Sequence, residues 1–339
     1  MAKSKPLKVS FYSYKGGSGR STTCWNTVER LLQEVTPTRE HPFVIIDTDI
    51  ESRGSTVLYG AEEDFFGCNT YQSIQSRIKN GVNVTGTDDE SRKRNFFDAM
   101  CPIGRKFGED VDAYAVLLLG VDSDRNENII TKGEANAEQM GNFKDFVKLC
   151  EKYGAKGIFF DTPSGTQGWA RQSLTHSTIV ICCMRPTSQF QLTTKKALKD
   201  FVDKDKAQGD NKYYILTPTT VCVDRPQSFV VKNNEEEFPE YAHGLIMQDF
   251  RNEKYKAMVK LDMLEPTPEK SKVYKDNKDD GAHVFGIPEI KRFKWFEQSL
   301  GCLPKDKGFS SNDEMGLNRY QYLADTIMKY YSIIISEEE

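Results

Sequence analysis

Apolar residues in this chain come in short bursts, and helical spacing fills the gaps between them. LKVSFYSY (7–14) is β-branched and aromatic and predicts a strand. WNTVERLLQEV (25–35) reads as a helix. After a proline-containing turn, FVIIDTD (43–49) is an apolar run ending in two carboxylates. Strand, glycine loop, helix and strand in that order form a βαβ unit whose first loop lies at a strand's carboxyl end. Further apolar runs fall at 114–121 (YAVLLLGV), 157–161 (GIFFD), 178–184 and 213–217 (YYILT), with a shorter one at 283–287 (HVFGI). Helical patterns lie at 139–153, 167–176 and 189–203. This alternation predicts an α/β fold: a doubly wound, mostly parallel sheet with helices on both faces. The end of the chain, NRYQYLADTIMKYYSIIISEEE, predicts a closing helix with an acidic tip.

Polar, turn-rich stretches at 80–95, 122–138, 204–212, 232–240 and 265–281 read as solvated loops. None is a linker strong enough to divide the chain, and no internal repeat is visible. The expectation is one domain over residues 1–339, enlarged by insertions around 80–95, 122–138 and 232–281.

Composition narrows the function classes. With 339 residues the chain can bury a core without a disulfide or metal staple. No apolar run approaches the ~18 residues of a membrane-spanning helix. The stretch MAKSKPLKVSFYSYKGG has no long apolar core of a secretory signal, so a cytoplasmic protein is expected. The net charge of −4 gives no global attraction to nucleic acid, which leaves DNA to local patches. Eight cysteines (24, 68, 101, 150, 182, 183, 222 and 302) contain no CxxC pair. They and the four scattered histidines lack zinc spacing, so the cysteines read as small buried hydrophobes in a reducing compartment.

The chemistry concentrates in Lys15-Gly16-Gly17-Ser18-Gly19-Arg20-Ser21-Thr22, which follows one predicted strand and opens a helix. Glycines let the backbone bend until several N–H groups face one point, where the helix N-terminus adds partial positive charge. A basic side chain and a hydroxyl complete a triphosphate–magnesium site. Asp47-Thr48-Asp49 ends one later strand, and Asp161 ends another, followed by Thr162-Pro163-Ser164-Gly165. Both fall where parallel strands converge on a crevice above the loop.

SYKGGSGRST, FVIIDTD and GIFFDTPSG together resemble the deviant Walker A (KGG) P-loop ATPases of the MinD/ParA family. The resemblance covers roughly residues 7–220, and VFGIPEI (284–290) is similar to the family's late segment near the base. It implies an ATPase using ATP and Mg²⁺, working as a homodimer with ATP sandwiched at the interface. Lys15 would be the signature lysine that reaches the partner's phosphates. Gly16, Gly17, Ser18, Gly19 and Arg20 would cradle the phosphates, Thr22 would touch the α-phosphate, and Pro288 would lie by the base. Ser21, Asp47 and Asp161 would hold the magnesium or its shell, and Asp49 would orient the attacking water. Lys15, Asp49 and Arg20 are thus the expected catalytic set.

Two departures matter. Arg20 stands where lysine is usual, keeping the charge but replacing a compact ammonium with a broad planar guanidinium. This makes slow hydrolysis an expectation. LTPTTV (216–221) stands where the family has an Asn-Arg pair for the base, so base identity rests on the resemblance.

The expected role is an ATP-dependent dimerising switch that positions or regulates DNA or a protein complex. The alternative is a low-turnover nucleotide-binding regulatory or scaffold subunit of a multi-protein system, such as a defence system. Arg20 and the long polar insertions motivate it. A ligase or synthetase of the same superfamily is a third, weaker reading. Basic patches for DNA are Arg92-Lys93-Arg94, Lys195-Lys196 with Lys199, and Lys291-Arg292 with Lys294. Membrane targeting through the tail is not expected, because KYYSIIISEEE is acidic rather than basic. Tyr320, Tyr322, Tyr330 and Tyr331 hint at a bacterial tyrosine kinase, but the KGG loop argues against one.

Overall fold

The structure is a computed structural model that describes residues 5–49, 54–55, 85–98, 100–102, 115–118, 137–166, 168–185, 212–218 and 311–336, with further helical residues at 193–194, 196–197, 200–201 and 204. In chain order the elements are β1 (Leu7–Tyr12), α1 (Arg20–Val35), β2 (Phe43–Asp47), α2 (Asp89–Asp98), β3 (Cys101–Pro102), β4 (Ala115–Leu118), α3 (Ala137–Lys152), β5 (Gly157–Asp161), α4 (Gly168–Thr175), β6 (Ile179–Met184), β7 (Tyr213–Pro218) and α5 (Ser311–Ser336).

The strands form one sheet in the order β3-β4-β2-β5-β1-β6-β7. Every neighbouring pair is parallel except β3 with β4. The central strands are buried along almost their whole length, with both faces covered; in β1 only Lys8 is half-buried. Alternate residues go to opposite sides. Leu7, Val9, Phe11, Phe43, Ile45 and Phe159 join α1 and α5 in one buried cluster, with Trp25, Val28, Leu323 and Ile327. Val44, Ile46, Ile158 and Phe160 join α2, α3 and α4 in a second, with Phe96, Phe143, Phe146 and Trp169. Each such aliphatic or aromatic side chain contributes about 1.5–3 kcal/mol by leaving water.

Elements begin and end where local chemistry sets them. Helix α1 starts at Arg20, five positions ahead of the expected apolar pattern, because Gly19 adopts a left-handed conformation (φ 73°) that turns the chain straight from the loop into the helix. The stretch 80–95, expected as a solvated loop, is helical from Asp89 onward. Asp88 and Ser91 exchange side-chain bonds with each other's backbone N–H (2.7 and 3.1 Å), a reciprocal cap at the helix start. Phe96 and Phe97, just past the polar window, bury the far end. Similarly, Ala137 at the edge of the 122–138 stretch already belongs to α3. The two-residue strand β3 had no sequence signal. The insertion at 232–281, the run at 283–287 and the rest of 122–138 lie outside the described residues.

Cys24, Cys150, Cys182 and Cys183 are buried free thiols, as expected of small core residues, and burial raises the pKa of each. Tyr320 and Tyr330 are core residues of α5, not an exposed tyrosine cluster. Ile333 and Ile334 pack against the same cluster, so the apolar end of the chain covers its own core. No helix among the described residues is long and apolar enough to cross a membrane.

Candidate nucleotide site

Parallel strands place their carboxyl ends along one edge of the sheet. β1 lies between β5 and β6, and the register sets Phe11 beside Asp161, Asp47 beside Asp161 and Tyr12 beside Cys182. The loop leaving β1 therefore rises beside the ends of β5 and β6, with the end of β2 one strand beyond.

Two threonines fix that edge. Thr48 donates both its N–H and its hydroxyl to the Asp161 carbonyl, each at 2.9 Å. Thr162 does the same to the Phe11 carbonyl, at 3.2 and 2.9 Å. Each Asp-Thr dipeptide thus clamps its strand end to the next strand, which holds the Asp47 and Asp161 backbones in fixed positions. Two Asp-Thr dipeptides, each ending an apolar run, were the sequence signal for this device.

The loop itself runs from a half-buried Lys15 through exposed Gly16 and Gly17 to a buried Ser18. Gly17 and Gly19 have positive φ (71° and 73°), which side-chain-bearing residues rarely adopt. Arg185, directly after β6, donates from Nε to the Gly17 carbonyl at 2.6 Å. A second cation thereby braces the loop, and the sequence reading had missed it. Ser21 is half-buried; Thr22 is buried, and its carbonyl accepts from Asn26 at 2.8 Å.

Arg20 is the centre of the site and is 7% exposed. Its Nε donates to Asp161 Oδ1 at 2.8 Å. One terminal nitrogen bonds Asp49 Oδ2, and the other reaches Ser13 Oγ at 3.3 Å. The second oxygen of Asp161 accepts from the Ser55 hydroxyl. Burial works against the charged guanidinium, but the Asp161 and Asp49 carboxylates outweigh it and hold the pKa above its ordinary value. Asp47 is fully buried, and its Oδ1 accepts from the Asp49 N–H at 3.1 Å. Ser13 and Ser55 escaped the sequence reading, since lone serines carry no motif. Ser21 lies beside Gly54, where an added Cβ would come within 2.8 Å of Ser21 Cβ and 4.0 Å of Asp161 Oδ2.

The expected residues are thus brought together in unequal measure. Arg20, Asp49 and Asp161 touch; Ser21 and Asp47 stand beside them; Lys15 and Gly16 form the open rim. Pro288 lies outside the described residues. The loop fits an anion, with glycine backbone, a helix N-terminus and Arg185 beside it. As arranged, Ser21, Asp47 and Asp161 do not fit a divalent ion. Asp161 spends both oxygens on Arg20 and Ser55, and Asp47 turns one to the Asp49 backbone. Among the described residues, no group of three or more His, Cys, Asp or Glu side chains could hold a metal.

The chain matches no protein-family profile and no curated protein sequence. Solved structures do match. MinD of Pyrococcus horikoshii, complexed with Mg-ADP, superposes with a TM-score of 0.54 over 97% of this chain and 98% of its own, at 14% identity. Apo McdA of Cyanothece gives 0.53 over 95% and 99%, at 13% identity. A plasmid partition protein of Borrelia burgdorferi gives 0.53 over 96% and 99%, at 14% identity. The fold is that of the MinD/ParA-like P-loop ATPases, and the doubly wound α/β architecture expected from the sequence is the one observed.

Proposed function

We propose that this chain is a MinD/ParA-like ATPase: an ATP-dependent, dimerising switch that positions or regulates DNA or a protein complex. The observation that carries the reading is the KGG loop at the β1–α1 junction, facing Asp49 and Asp161 across Arg20. An anion at the N-terminus of α1 would meet the loop N–H groups and the Arg185 side chain. Lys15 is half-buried on the open rim of the loop, a position from which it can act across a dimer interface.

A second reading, the low-turnover regulatory or scaffold subunit, is favoured by one observation. Asp49, expected to orient water, is engaged by Arg20. Among the DNA patches, Arg92 and Arg94 are exposed on α2, while the Lys291 patch lies outside the described residues. The α2 patch sits near the amino-terminal edge of the sheet, away from the loop, so DNA there would be held at the far end from nucleotide.

Light scattering with and without ATP tests the switch. The wild type should double in mass with ATP, and Lys15→Ala should stay monomeric while its circular dichroism is unchanged. An unchanged mass in the wild type, or a Lys15→Ala protein that still dimerises, overturns the sandwich. Phosphate release from the same samples separates the readings: dimerisation without turnover selects the regulatory subunit.

A further inference from the structure

Arg20 sits where the carboxylates of this fold would meet a cation. Its guanidinium spans two strands' ends, with Nε on Asp161 at 2.8 Å and a terminal nitrogen on Asp49. The remaining terminal nitrogen reaches Ser13 at 3.3 Å, and Ser55 satisfies the other Asp161 oxygen. Asp161 is fully buried, Asp49 is 8% exposed and Arg20 7%. This is a buried set in which every nitrogen of the guanidinium and both oxygens of Asp161 have a partner.

A lysine could not make it. An ammonium is a compact point charge, whereas the planar fork of arginine meets two carboxylates at once. Breaking such a buried pair by removing one partner is costly, because a charge is left unpaired. A divalent ion would have to displace Arg20 from Asp161 and then compete with it for the same oxygens.

We propose that Arg20 is the resident cation of this site: it holds Asp161 and Asp49 in the place of a divalent ion, so that nucleotide is taken up without a metal requirement. The proposal rests on the nucleotide-binding reading for its second half only. Arg20 offsets one carboxylate charge from within, and Arg185, the helix N-terminus and the loop N–H groups lie on the side that would face the phosphates. With Asp49 held by Arg20, the same contact predicts slow turnover without any loss of binding.

Two titrations on the full-length chain decide it, each on wild type and Arg20→Lys, with thermal melts confirming that the variant is folded. In the first, Mn²⁺ is titrated without nucleotide and bound ion is read by electron paramagnetic resonance. Arg20→Lys, whose ammonium can cover only one carboxylate, should bind Mn²⁺ about tenfold or more tighter than wild type. Equal binding by the two, whether tight or nil, overturns the proposal. In the second, a fluorescent ATP analogue is bound in Mg²⁺ or in EDTA. Wild-type affinity should hardly change, and Arg20→Lys should gain about tenfold with Mg²⁺. A wild type that needs Mg²⁺ as strongly as the variant overturns the proposal. If neither protein binds the analogue under any condition, the nucleotide reading fails, and the Mn²⁺ titration still judges Arg20.

Discussion

Gly54 is the residue on which the packing around the hydroxyl side of the site turns. A methyl group there would meet Ser21 Cβ at 2.8 Å, so the Ser21 side of the loop helix would have to shift, while Asp161 Oδ2 at 4.0 Å would not be crowded. Gly16, by contrast, is exposed, and an added Cβ would meet nothing within 4 Å. Gly54→Ala is therefore expected to destabilise the fold by about 1–3 kcal/mol through overpacking. Gly16→Ala should change stability by less than about 0.5 kcal/mol. Urea midpoints of the two variants check this, and equal shifts would show that the Ser21–Gly54 contact does not constrain the site. The same residues mark the limit of what the sequence discloses. The glycine loop and the three aspartates were readable because each abuts an apolar strand, whose pattern fixes where its end must lie. Ser13, Ser55 and Arg185 were not. Their importance comes from proximity across as many as 168 positions of sequence, and nothing in their type distinguishes them. Arg20 was visible as a departure, but its two-carboxylate grip is a property of where β2 and β5 end.

At the scale of elements, the contact between α1 and α5 carries a pH dependence. Most of that contact is apolar, with Val28, Leu31 and Leu32 against Leu323, Ala324 and Ile327. At its rim, Glu34 accepts from Gln321, which also donates to Asp325 at 2.9 Å. Partial burial, then the Asp325 carboxyl, raise the Glu34 pKa from its ordinary 4.5 to about 7. The folded state therefore holds a proton that the unfolded chain gives up more readily. The favourable contribution is complete below about pH 4.5 and is lost as pH rises through about 7. Glu34→Gln removes the charge and keeps an oxygen for Gln321, so it should raise the melting temperature at pH 8 and leave it unchanged near pH 4.5. Melts followed by circular dichroism across that range test the sign. A gain of equal size at both ends would place the effect elsewhere than in the titration of Glu34. The long closing helix was foreseen from its apolar spacing, but this rim was not, since Glu34 and Gln321 are ordinary surface types that acquire meaning only when the helices meet.

Over the whole molecule, the sheet acts as a partition between two cores and between two ends. Its carboxyl edge carries the candidate nucleotide site. Its amino edge carries a cavity of about 590 Å³, lined by Lys5, His41, Lys93, Lys152 and Lys156 among others, on the residues that precede β1, β2 and β5. None of the residues that line the cavity belongs to the candidate site. The two faces are equally distinct. Ile327 belongs to the cluster under α1 and α5, and Val147 to the cluster under α2, α3 and α4; the two clusters have no residue in common. Ile327→Val removes one buried methylene, at about 0.5–1.5 kcal/mol. Val147→Ala removes two, at about 1.6 kcal/mol from transfer plus whatever cavity remains. Because the strand backbones stand between them, the double variant should lose the sum of the single losses to within about 0.5 kcal/mol. Chemical denaturation of the four proteins measures the coupling. A clear excess or deficit would mean that the sheet transmits packing strain from one face to the other. The strand ends that hold Arg20 would then answer to both helical layers rather than to their own clamps at Thr48 and Thr162.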